Sequence, residues 1–435
     1  STNAPSKKSA NPDYFSPLSI TLAANKKAFS SATNEELTKA LWVTESTLLK
    51  EVFSSSYICK KSSVDEWMSA LSLESFVLID FPDALPYPLI CAFENKTSDF
   101  AQGEMCAVKS LILYPDENNV VCAIAFDGKN NYNSFKTVLD KTAALIYDFN
   151  SNNLAAYTVN EGFIEASLNK DGALTDIGVN LPPEHTLLMQ APNLAPIHIE
   201  NSISSLFDKF YMSQKSSSLS LVSNEDVTSL LELFEINPST AGVYTDANSR
   251  IIFVNSDSRL ILSETGVIEY TISEKSDSNI LFSSLLESER TQFASHEHLA
   301  AASVFLDLFK DKFIGEESSL LLENVAFSNE KTTFRFGYYS NLCKVIREDL
   351  SACVELTFDS MGLISAKITP LKISSPIDTL LVDTPRVKVD VEEKLALTLV
   401  PEAQTSTLKD FRPVYVYDTH NKSVWPIWAA IAERK

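Results

Sequence analysis

Between Gly242 and Ile272 the chain alternates short apolar runs with polar turns: GVYT, DANSR, IIFVN, SDSR and LILSETGVIEYTI. Runs of this length and composition, broken by Asn, Asp, Ser and Gly, predict a meander of short strands. A similar unit returns between Thr333 and Ile368, where FRFGYY and ACVELTFDSMGLISAKI flank a loop. Upstream, SLILYP and VVCAIAF enclose the polar turn DENN and predict a hairpin. FVLIDF reads as a buried strand that Pro82 ends.

Helical periodicity is confined to a few segments. Leu37, Leu41, Leu48 and Val52 share a face behind a cap at Asn34 or Thr33, so a helix is expected over residues 34–53. Ser63 and Glu66 have the spacing of a capping box ahead of DEWMSAL. Further helices are expected over 134–147, at VTSLLELFE, and over 280–313 with a break near 293–296. Residues 387–399 fit strand or helix equally.

Runs of hairpins preceded or followed by helices predict an α+β fold with mixed and antiparallel sheets. At 435 residues the chain exceeds one ordinary domain. The expected division is a flexible leader or juxtamembrane stalk over 1–33 and an N-terminal α/β domain over 34–183. A middle α+β domain with the long helical tract follows over 184–318, then a C-terminal α+β domain over 319–435. The two β-rich units would then be related modules of the last two domains.

Composition narrows the function. A net charge of -21 disfavours nucleic acid, whose binding needs Lys and Arg against phosphate, and disfavours a polybasic membrane contact. No run approaches the roughly 18 apolar residues of a membrane span. STNAPSKKSANP lacks the apolar centre of a signal peptide and reads as a tag scar or stalk. Only 10 glycines occur, and neither G-x-G-x-x-G nor a P-loop is present, so no nucleotide cofactor is expected.

Candidate chemistry is sparse. Six cysteines contain no C-x-x-C. If the chain reverses at Arg347-Glu348-Asp349, Cys343 and Cys353 stand opposite each other on a hairpin, within disulfide reach; the other reading is two apolar strand residues. His296-Glu297-His298 falls in an expected helix, where i and i+2 side chains diverge by about 200° and do not face one metal; a solvated surface is expected. Asp80 and Asp83 flank a strand end and form the one carboxylate pair worth inspecting for hydrolysis. Catalytic, cofactor and metal residues are therefore expected to be absent. The tail, VYVYDTHNKSVWPIW, offers Tyr415, Tyr417, Trp425 and Trp428 either as a partner surface or as a terminal hairpin packed on a sheet.

Several blocks resemble the YycH family, extracytoplasmic regulators of the WalK–WalR (YycG–YycF) two-component system in low-GC Gram-positive bacteria. They are LLELFEINPSTAGVYTDANSRIIFVN with ETGVIEYTI, the long helical tract, TTFRFGYYSNLCKVI with VELTFDSMGLISAKI, and the closing PVYVYD…WPIW. The resemblance covers roughly Leu230 to Lys435 and implies no catalytic residue. It implies a single membrane anchor upstream of Ser1 and an extracytoplasmic body. That body would regulate a sensor histidine kinase by contact, together with a YycI-like protein. The alternative reading is a secreted or membrane-anchored protein that binds a small molecule or carbohydrate.

Overall fold

The structure, a computed structural model, describes residues 12–24, 27–31, 35, 38–43, 58–86, 107–115, 121–129, 131–136, 164–166, 186–189, 197–203, 207–208, 225–273, 295–315, 318–328, 331–340, 342–347, 353–360, 362–374, 406–417, 423–424 and 426–434. The first half supplies strands β1 (Ser19–Ala24), β2 (Lys27–Ser30) and β3 (Ile58–Ser62), then helix α1 (Val64–Leu71). Next come β4 (Phe76–Pro86), β5 (Ala107–Pro115), β6 (Val121–Phe126), β7 (Tyr132–Lys136), β8 (Ile164–Ala166), β9 (Thr186–Met189) and β10 (Ile197–Asn201).

Helix α2 (Glu225–Leu233) opens the second half, before β11 (Gly242–Thr245), β12 (Ile251–Val254), β13 (Ser258–Leu262) and β14 (Ile268–Ile272). Helix α3 (Ser295–Phe309) runs into a π turn at Lys310–Ile314. Strands β15 (Ser319–Ser328), β16 (Lys331–Ser340), β17 (Cys343–Arg347), β18 (Cys353–Asp359), β19 (Gly362–Ile368) and β20 (Leu371–Ser374) follow. The chain ends in β21 (Ser406–Tyr417), β22 (Ser423–Val424) and β23 (Pro426–Arg434).

These form an α+β fold of one nine-stranded, one three-stranded and one 11-stranded sheet. The nine-stranded order is β3-β7-β6-β5-β4-β1-β2-β9-β8, antiparallel except for β2 with β9. Its hairpin β5–β6 is the one the flanks of DENN predict, with Pro115 opposite Val121. Strand β4 does not stop at Pro82. It passes through an irregularity between Asp80 and Leu85, where Lys109 Nζ donates to the freed carbonyls of Phe81 and Pro82 at 2.5 and 2.8 Å. Satisfying those carbonyls lets the strand carry a proline without orphaned backbone groups.

The leader is not a stalk throughout. Strand β1 lies between β4 and β2, with Ile20 and Leu22 fully buried, and Tyr14 and Phe15 join the core just before it. The expected helix over 134–147 also yields at its start, because Ser134 and Lys136 pair in β7; residues 137–147 lie outside the described part. So do residues 280–294 of the long helical tract, 387–399, and 44–53 of the first expected helix; residues 35 and 38–43 of that helix are helical.

In the second half, β11 to β14 form the sequential meander expected for Gly242–Ile272. The second unit has a different order, β19-β18-β16-β17, so the two are not copies of one module. They join edge to edge through β14 and β19, with Ile268 opposite Ile368. The boundary expected at 318/319 therefore falls inside one sheet. Beneath both large sheets runs a single hydrophobic core, reaching from Tyr14, Ile20 and Phe81 to Phe305, Phe336 and Tyr415. Tyr14 Oη donates to Asp307 Oδ1 at 2.7 Å and ties the start of the chain to α3.

Candidate functional site

The meander that carries the family-like residues ends the 11-stranded sheet with β11, which pairs with β12 alone among the described strands. Its position is fixed by the turn Asp246–Arg250. Asp246 Oδ1 accepts from the backbone N–H groups of Asn248 and Arg250, both at 2.9 Å. Ser249 takes the left-handed conformation at φ 60°, and the Arg250 guanidinium closes the turn on Asp246 Oδ2 at 2.7 and 2.8 Å. The hydrogen bonds from Arg250 hold the Asp246 carboxyl below its ordinary pKa. This turn presents a short, mostly exposed strand in which Tyr244 is 52% exposed. An edge strand offers unpaired backbone groups to an extended partner segment, and an exposed tyrosine beside them adds contact area.

The tail does not supply the expected aromatic surface at Tyr415. Strand β21 lies between β17 and β23, and Tyr415, opposite Val345, is fully buried. Tyr417 pairs opposite Arg347 in β21, and Trp428 stands opposite Pro413 in β23. Trp425 lies outside the described residues.

Cys343 and Cys353 are buried thiols. Their strands do not oppose each other. Both β17 and β18 pair with the same edge of β16, one after the other, while β15 takes the other edge. Cys343 faces Ser340 and Cys353 faces Gly337, three positions along β16. That is roughly 10 Å of strand rise, beyond the roughly 7 Å limit for a bridge. Burial raises the Cys353 pKa.

At this fork sits a buried polar group that sequence reasoning missed. Glu323 occupies the register irregularity in β15 and is 5% exposed. It accepts from Tyr339 Oη at 2.9 Å and pairs with Lys344 Nζ at 2.5 Å. No local pattern marks it, because the bulge turns its side chain inward among residues from three strands.

Asp80 and Asp83 are not a working pair. Asp80 is buried and accepts from Ser19 and Ser110, bridging β1, β4 and β5, whereas Asp83 is exposed and accepts from the N–H of Ala84. His298, expected on a solvated surface, is buried with its ring stacked 5.6 Å from Phe358 and Nδ1 3.4 Å from Thr332 Oγ1. His296 lies at the start of α3. Among the described residues no group of three or more His, Cys, Asp or Glu is placed to hold a metal, and no helix is long and apolar enough to cross a membrane.

No protein-family model matches this chain, and no curated protein matches it. A crystal structure of an uncharacterized protein from Eubacterium rectale ATCC 33656 is similar over 56% of this chain and 77% of that one, at 11% identity and a TM-score of 0.30.

Proposed function

We propose that this chain is a non-enzymatic regulatory body on the extracytoplasmic face of a membrane, held by a single anchor upstream. It modulates a sensor histidine kinase by direct contact, together with a YycI-like protein. The observation that carries the reading is the β11 edge: a strand that pairs with β12 alone among the described strands, joined to it by the Asp246–Arg250 turn, with Tyr244 exposed on it. The residues that resemble the YycH family, VYTDANSR and GVIEYTI, lie in this same meander. Groups that elsewhere serve catalysis are engaged in the fold here: Asp80 joins three strands, Glu323 braces the fork, and His298 stacks in the core.

A photo-crosslinking side chain at position 244 tests the proposal in cells that carry the native kinase. Adducts with the kinase or the YycI-like protein are expected from position 244 and not from the exposed Leu308 on α3. Equal labelling from both positions, or none from position 244, would refute it.

A further inference from the structure

Helix α1 covers only part of the first sheet's outer face, and the uncovered part forms a cleft of about 480 Å³. The registers place Lys60, Ser134 and Ile124 in one row across β3, β7 and β6. The next row on the same face carries Cys122 and Tyr114. Trp67 closes one side of the helix by packing against Phe126 and Tyr132, each 5.8 Å away. On the other side α1 lines the hollow with Ser69 and the buried Ala70.

The cleft is chemically graded. Its inner part is apolar, formed by Ala70, Leu73, Tyr114, Cys122 and Ile124. Its outer part, where the chain turns from β3 into α1, carries charges. Glu66 is committed to the capping box, accepting from Ser62 Oγ and from the N–H of Ser63. The hydroxyls of Ser69 and Ser134 donate to the carbonyls of Asp65 and Lys60. The Lys60 ammonium and the Asp65 carboxylate remain, and neither has an ion-pair partner among the described residues. Lys60 and, beside the cap-bound Glu66, the Asp65 carboxylate thus stand at the mouth of an apolar hollow of ordinary ligand-site size.

We infer that this cleft binds a small zwitterion with an apolar body, namely a free α-amino acid with a large apolar side chain. Its carboxylate pairs with Lys60, its ammonium with Asp65, and its side chain lies against Tyr114, Cys122 and Ile124. Charge-assisted contacts at both ends select against molecules that carry only one of the two charges.

Titration calorimetry of the full chain with L-phenylalanine tests this, alongside phenylpropanoate, which lacks the ammonium, and phenethylamine, which lacks the carboxylate. Phenylalanine should bind saturably at one site, and each analogue about tenfold more weakly. Lys60→Met should weaken phenylalanine about tenfold yet leave phenethylamine unchanged, and Asp65→Asn should do the converse with phenylpropanoate. Both side chains are exposed, so the variants keep the wild-type circular dichroism. Absence of saturable phenylalanine binding overturns the inference. So does equal affinity for either analogue, or phenylalanine binding unchanged in both variants.

Discussion

The carboxylate of Glu323 fills the space where Gly337 would carry a side chain, so a Cβ on that residue would collide with it. Gly337 is also where β16 changes partners on one edge, facing Cys353 of β18 just before Tyr338 faces Val345 of β17. The missing side chain is what lets a buried acid reach Tyr339 and Lys344 at the fork.

Gly337→Ala should therefore destabilise the protein by about 2–3 kcal/mol, the scale of overpacking in a closed core. Denaturant unfolding checks it. A double-mutant cycle with Glu323→Ala should show a favourable coupling, because removing the carboxylate opens the space the new methyl needs.

Lys344→Met removes the cation from a nearly buried carboxylate. The expected loss is about 2–4 kcal/mol, since the buried Glu323 carboxylate loses its cation and is left with the Tyr339 hydroxyl as its side-chain donor among the described residues. Adding Glu323→Gln to Lys344→Met should recover part of that loss, which the same unfolding curves would show.

Residues 12–24 and 27–31 belong to the folded body, so deleting residues 1–31 should abolish cooperative unfolding of the first sheet. The deletion takes out both β1 and β2 from between β4 and β9, and with them Ile20 and Leu22. Thermal melting followed by limited proteolysis would report the loss. A variant that melts like the full chain would show that the leader is a stalk after all.

Alkaline pH should unfold the protein through its buried tyrosines. Burial pushes Tyr270 up to about 12 and raises Tyr338; burial and the bond to Asp307 raise Tyr14. The unfolded chain ionises each near the ordinary 10.0, so the native state holds more protons above that pH. Stability is then fully present below pH 10 and falls by about 1.4 kcal/mol per pH unit for each such tyrosine until its folded pKa is passed. Tyrosinate absorbance should rise together with unfolding rather than ahead of it.

Local signals in the sequence carried through where each element contains its own instruction. The Ser63–Glu66 capping box forms as its spacing predicts, and the β5–β6 hairpin and the β11–β14 meander follow their turns. What could not be read locally was decided by distant partners. Strand β14 meets β19 across a sequence separation of 100 residues, from Ile268 to Ile368. His298 faces inward because Phe358 offers a ring to stack on, and Tyr415 is buried because parallel pairing with β17 puts β21 inside the sheet. The exposed β11 edge was visible as a strand; that it terminates the sheet depends on the whole strand order.

The proposed contact between the β11 edge and a sensor kinase can be measured in solution. Titrating the purified chain into the kinase's extracytoplasmic domain tests it most directly, with Tyr244→Asp and Leu308→Asp compared against the wild type. A saturable complex that Tyr244→Asp weakens at least about tenfold, and that Leu308→Asp leaves unchanged, is the predicted result. No complex with the wild-type chain, or equal affinity in the Tyr244→Asp variant, would contradict it.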